Sequence, residues 1–145
     1  MNVVSIRAIN VDSPVPLEEL ERYSLRVLES LGKDRWDVSI LLCDDQYIHE
    51  LNGRYRDRDE PTDVLSFAQD SNYETEGYYV AGDIVISVDT MKKNADDHHI
   101  SEKDETRRLL VHGLLHLAGM DHDEESSEGE MLDLQERILR ENSGD

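Results

Sequence analysis

One cysteine, one phenylalanine, one tryptophan and three prolines are spread over 145 residues, and 15 Lys and Arg stand against 34 Asp and Glu. Each scarcity excludes something. A single thiol, Cys43, forms no intramolecular disulfide, so the chain must rely on its own core and suits a reducing compartment. Cys43 ends an apolar run and reads as a small buried hydrophobe rather than a nucleophile. No apolar run approaches the ~18 residues of a membrane span, and no basic stretch leads into an apolar one at the start. A soluble, cytoplasmic protein is expected. The net charge of −19 argues, on composition alone, against a nucleic-acid partner, because affinity for phosphate chains comes from Lys and Arg displacing counterions. There is no internal repeat or linker, and the length suits one domain over residues 1–145 that buries roughly 70% of its unfolded surface.

The pattern that is present is mixed. Residues 3–9 alternate Val4, Ile6 and Ala8 with Ser5 and Arg7, the period of a half-buried strand. Residues 17–31 carry Leu17, Leu20, Ser24, Val27, Leu28 and Leu31 at helical spacing, and Gly32 stops them. Residues 36–43 form a second strand through Val38, Ile40 and Leu42. A helix capped by Asp44 or Asp45 follows, with Ile48, Leu51 and Tyr55 inward. The polar stretch 54–63 reads as a loop ended by Pro61. Residues 64–67 are a short third strand, 69–77 a surface loop, and 82–88 a central fourth strand. Asp89 caps a short helix, and His98 and His99 fall in exposed loop. The expectation is an α+β domain with a four-stranded mixed sheet and about five helices.

The chemistry is concentrated late in the chain. Ser101-x-x-Asp104 opens a helix as a capping box, and His112 and His116 then lie one turn apart on one face. Gly119 supplies the left-handed residue that lets the chain double back and bring His122 to the same point. Three imidazoles of this spacing suit one zinc ion and leave it an open fourth position, the arrangement of catalytic sites, where a water ionises near pH ~7. The ligand spacing is that of the metzincins. Their general base is missing, because Gly113 stands where those proteases carry Glu beside the first histidine. One explanation of Gly113 is that a side chain there would block the open side of the metal. After His122 an acidic run leads into a last helix with Met131, Leu134 and Ile138 inward.

Two further blocks join the histidine stretch His112-Gly-x-Leu-His116-Leu-x-Gly119-x-Asp121-His122. They are Leu51-Asn52-x-x-Tyr55-Arg56-x-x-Asp59-x-Pro61-Thr62-Asp63-Val64-Leu65-Ser66-Phe67 and Gly82-Asp83-Ile84. In this order and spacing the three resemble the bacterial YbeY family of zinc-dependent endoribonucleases that mature ribosomal RNA. The likeness covers nearly the whole chain, although Ala68 replaces the proline usual after Ser-Phe. It implies a single-strand-specific enzyme acting in 16S rRNA 3′-end maturation and ribosome quality control, with ribosomal RNA and the small subunit or its proteins as partners. It places the metal ligands on His112, His116 and His122 and the functional arginine on Arg56, whose planar fork of donors matches phosphate oxygens. Without it, Arg54, Arg56 and Arg58 read as a solvated loop paired with Asp57, Asp59 and Glu60. With it, Arg54, Arg58 and Arg108 become candidate substrate contacts, alongside Lys92, Lys93 and Arg107, in a local positive groove. Asp121 is a candidate catalytic residue, either helping the base or orienting a ligand histidine. Two alternatives remain, a zinc metallopeptidase-like hydrolase and a non-catalytic zinc-stabilised ribosome-assembly factor.

Overall fold

The period-two and period-3.6 segments form the elements their spacing predicts, in a computed structural model that describes residues 1–69, 74–119 and 125–144, with backbone alone for 125–128. In chain order these are β1 (Val3–Ala8), α1 (Leu17–Ser30), β2 (Trp36–Cys43), α2 (Asp45–Arg56), β3 (Val64–Ala68), β4 (Glu74–Thr75), β5 (Tyr78–Ser87), α3 (Val88–Asp97), α4 (Glu102–Leu117) and α5 (Glu125–Glu141). The sheet runs β1-β2-β5-β3, with β4 hydrogen-bonded to the start of β5. β1, β2 and β5 are parallel, and β3 and β4 are antiparallel to β5. The fold is α+β with five helices, and its mixed sheet has five strands, one more than expected among the described residues. The extra strand is the two-residue β4, in a run too polar and short to read as anything but loop.

Alternation divides the sheet between two cores. Val38, Ile40, Leu42, Ile84 and Ile86 face α1, α4 and α5 in the larger cluster, together with Leu20, Val27, Leu28, Met131 and Ile138. Leu41, Leu65 and Val85 face the other way, under Ile48, Tyr47 and Leu51 of α2. Cys43 lies in this smaller core, fully buried. Burial, and then the carboxylates of Asp44, Asp45 and Asp89, push its thiol up to about 12, so it stays protonated and inert at neutral pH.

Several local expectations are corrected. The α3 cap is Ser87, whose Oγ accepts from Thr90 N at 3.3 Å, because Asp89 instead accepts from Asp45 N at 2.9 Å. β5 begins at Tyr78, and Val88 already belongs to the helix. α2 extends through Arg56, so Arg54 and Arg56 occupy its last turn, where cations complement the helix dipole, and not a loop. Tyr55 is 57% exposed rather than inward, because α2 covers only part of its sheet face.

α4 is the central element and packs on β3, β5, α1, α3 and α5. Ser101 Oγ caps it by accepting from Asp104 N at 3.0 Å, as the capping box predicts. Gly113 faces the sheet. A Cβ there would lie 2.9 Å from Ile84 Cγ2 and 3.0 Å from Ile84 Cδ1. Ile84 is fully buried in the middle strand, so the missing side chain sets how closely α4 approaches β5. This replaces the reading of Gly113 as clearance for a metal.

Gly113→Ala should therefore lower stability by about 1–3 kcal/mol through overpacking, despite the better helix propensity of Ala. In an Ile84→Ala background the penalty should vanish or reverse. Urea denaturation of the four proteins reads this coupling, and a Gly113→Ala protein as stable as wild type would contradict it.

Candidate active site

With Gly113 held on the sheet, His112 and His116 lie together to one side of the sheet-facing stripe of α4 and are half-buried. Their rings meet edge-on at a centroid distance of 4.6 Å, and His112 Nε2 lies 3.1 Å from His116 Nε2. Two nitrogens bound about 2.0–2.1 Å from one tetrahedral zinc would stand about 3.3–3.4 Å apart. The pair thus fits two ligands of a single ion. The other nitrogen of His112 is fixed from α5, where Nδ1–H donates to Gln135 Oε1 at 2.9 Å. This tautomer leaves the Nε2 lone pair facing His116.

Gln135 is 1% exposed and was not singled out by sequence. It sits one turn after Met131 and three residues before Ile138, so a polar residue inside the apolar stripe of α5 was the available signal. The inward stripe contains Gln135, with Leu134 only partly buried beside it. α4 turns at its end as predicted, with Gly119 at φ 93° and its N–H donating to His116 O at 3.0 Å. His122 and Asp121 lie outside the described residues. Among the described residues no group of three or more His, Cys, Asp or Glu gathers at one point.

Arg56 approaches the histidine helix through β3. Its Nη2 donates to Ser66 O at 2.6 Å, and Ser66 Oγ donates to Gly113 O at 3.4 Å, beside His112. Its guanidinium lies 5.1 Å from the Phe67 ring centroid. Arg56 and Arg58 also line a hollow of about 250 Å³ with Asn52, Glu60, Thr62 and Leu65. Asn52 is buried and staples the loop that follows α2, donating to Glu60 O at 2.8 Å and accepting from Arg58 N at 3.2 Å. The hollow therefore has a fixed wall.

The remaining cations are more dispersed. Arg54 is exposed over Tyr55, and Arg58 reaches Glu60 at 3.8 Å. Arg108 stands one turn before His112 but grips buried Glu105 with two bonds of 2.8 and 2.7 Å, which raises its pKa further. Arg107 is 5% exposed, stacked 4.3 Å over Tyr23 and donating to the carbonyls of Asn142, Ser143 and Gly144. It is a structural tether for the C-terminal residues, not part of a groove. Asp63 accepts from Val64 N and Asn94 Nδ2 at 2.8 and 3.2 Å, which commits both its oxygens to the fold.

Fold and site define an α+β protein whose central helix presents a preorganised histidine pair, with an arginine fastened to the adjoining strand. The chain belongs to the YbeY endoribonuclease family: the model described as "Endoribonuclease YbeY" matches residues 6–143. The endoribonuclease YbeY of Treponema denticola is 44% identical over 143 residues, covering 95% of this chain and 92% of that protein. That of Treponema pallidum is 41% identical over 142 residues, covering 96% and 89%. A solution structure of a Thermotoga maritima protein superposes with a TM-score of 0.70 at 28% identity, covering 97% of this chain and 89% of that one.

If Gln135 fixes the His112 tautomer, Gln135→Ala should raise the fraction of His112 protonated at Nε2, read from the ¹⁵N shifts of its ring in the metal-free protein. Unchanged ring shifts would show that Gln135 does not set the proton.

Proposed function

We propose that this protein is a metal-dependent endoribonuclease that cleaves single-stranded RNA in the cytoplasm, in 16S rRNA 3′-end maturation and ribosome quality control. The observation carrying this reading is the 3.1 Å convergence of His112 and His116 on α4, beside the strand that Arg56 grips. The family's name and those of its Treponema members support RNA as the substrate. His122 is assigned as the third metal ligand, on its spacing from Gly119, and Asp121 as the carboxylate that orients a ligand imidazole. Zinc, or another transition metal that favours imidazole, supplies Lewis acidity toward a phosphoryl oxygen or a water when bound by these histidines.

The protein's own residues do the rest. Gln135 keeps the proton of His112 on Nδ1 so that Nε2 remains a ligand. Arg56 donates to the oxygens of the scissile phosphate and stabilises the charge that develops there, held in position by Ser66 and Phe67. Arg58 and Arg54 stand along the approach, and Arg108, one turn before His112 and neutralised by Glu105, offers its remaining donors as a hydrogen-bonding contact rather than net charge. With a net charge of −19, this small basic zone needs RNA to be delivered, and the small ribosomal subunit or its proteins are the proposed partners. Among the described residues no helix is long and apolar enough to cross a membrane. A metallopeptidase reading is disfavoured because Ile84 occupies the space that a Glu at position 113 would need.

Arg56→Ala should reduce cleavage of a single-stranded rRNA fragment by about 10²-fold or more while leaving the urea midpoint near that of wild type. Normal processing by that variant would remove Arg56 from the mechanism and favour a non-catalytic assembly role. Cleavage by the wild type should fall as salt rises from about 50 to 200 mM, because phosphate contacts release counterions. A flat profile would count against the basic approach.

A further inference from the structure

Parallel strands are ordinarily covered on both faces, yet α2 leaves part of its side of the sheet open. The gap is a groove of about 530 Å³. Its floor follows from the strand register, in which Ser5, Ser39, Asp83 and Phe67 stand opposite one another across β1, β2, β5 and β3. The neighbouring row of Leu41, Val85 and Leu65 is already used by the small core under α2. The uncovered row is therefore polar for three strands and ends on the only phenylalanine in the chain. Phe67 meets Tyr55 edge-on at a centroid distance of 5.6 Å and 70°. Tyr55 is one of few large apolar side chains left exposed among the described residues. Phe67 also lies 5.1 Å, centroid to guanidinium, from Arg56, so one ring of the groove adjoins the proposed catalytic arginine.

We propose that this groove binds the single-stranded RNA flanking the cleaved phosphate, with a nucleobase stacked on the exposed Tyr55 ring, which Phe67 braces edge-on, and base edges turned toward Ser5, Ser39 and Asp83. The proposal rests on the endoribonuclease reading and specifies its substrate site. Exposed aromatics beside arginine are the usual means of holding unpaired bases, because every base has a stacking face. The Asp83 carboxylate fixes the polarity of the strand's faces. It repels phosphate and accepts hydrogen bonds from base amino groups, so bases point into the groove and the phosphate chain runs along its outer edge toward Arg56. A duplex could not enter this way, since its bases are paired inward. The continuity from Phe67 to Arg56 favours RNA over a protein partner, and the serines and aspartate give the floor donors and acceptors rather than an apolar docking face.

The test uses the full-length, zinc-loaded protein and a short fluorescent single-stranded RNA. Tyr55→Ala should raise KM about 5- to 160-fold, the range lost with one base–aromatic stack, and affect kcat much less. Tyr55→Trp should restore KM, whereas Tyr55→Leu, apolar but without a π face, should not. A binding measurement that needs no cleavage separates this proposal from the catalytic reading. Wild type should bind the RNA more tightly than an abasic ribose-phosphate oligomer of equal length, and Tyr55→Ala should reduce the difference about fivefold or more. Equal wild-type affinity for the two oligomers, an unchanged KM in Tyr55→Ala, or full function in Tyr55→Leu would each overturn the proposal.

Discussion

The contact between Gly113 and Ile84 is the constraint on which the site depends. A helix resting on a parallel sheet normally keeps side chains between the two, but here the α4 backbone comes close enough that a single Cβ would collide with the middle strand. That closeness fixes the rotation of α4 about its axis. With Gly113 inward, the neighbouring His112 and the next-turn His116 are set at one edge of the helix, where β3 and α5 flank them. The same glycine presents its carbonyl to Ser66. One missing side chain thus serves packing, the orientation of the histidine pair and the link to Arg56.

Rigidity around the histidines is supplied from three directions. α5 contributes Gln135, a buried amide hydrogen-bonded to Nδ1 of His112. β3 contributes the carbonyl that fastens Arg56, and Asn52 pins the loop behind that arginine. Upstream of the histidines on α4, Glu105 and Arg108 neutralise each other and Arg107 binds the carbonyls of Asn142, Ser143 and Gly144. A site whose groups are held before substrate arrives loses little to reorganisation, which is the main source of electrostatic catalysis. The net charge of −19 keeps most of the molecule unattractive to phosphate chains, which is why the proposed RNA approach is confined to the few cations near β3 and α4.

Much of the fold was legible because its signals are local. Alternation at Val4, Val38 and Ile40 marked strands, Ser101 and Gly119 marked the two ends of the histidine helix, and the spacing of His112 and His116 marked one face. What escaped depends on partners distant in sequence. Gly113 is explained only by Ile84, which no period in the helix reveals. Gln135 reads as an ordinary polar residue until α5 is seen against His112. Tyr55 follows the inward spacing of α2, and only the incomplete cover of the sheet turns it to solvent. Arg107 and Arg108 look alike in sequence, but one faces the C-terminal carbonyls and the other a buried glutamate. The importance of Arg56 came from family resemblance, since its neighbours alone describe a charged surface turn.

The central claim is that the α4 histidines hold a metal ion on which cleavage depends. Elemental analysis of the purified protein, coupled to RNA cleavage before chelation, after it and after zinc is restored, tests that claim most directly. About one ion per chain, loss of cleavage on its removal and recovery with one equivalent of zinc are the predicted results. Undiminished cleavage by metal-free protein would contradict the account.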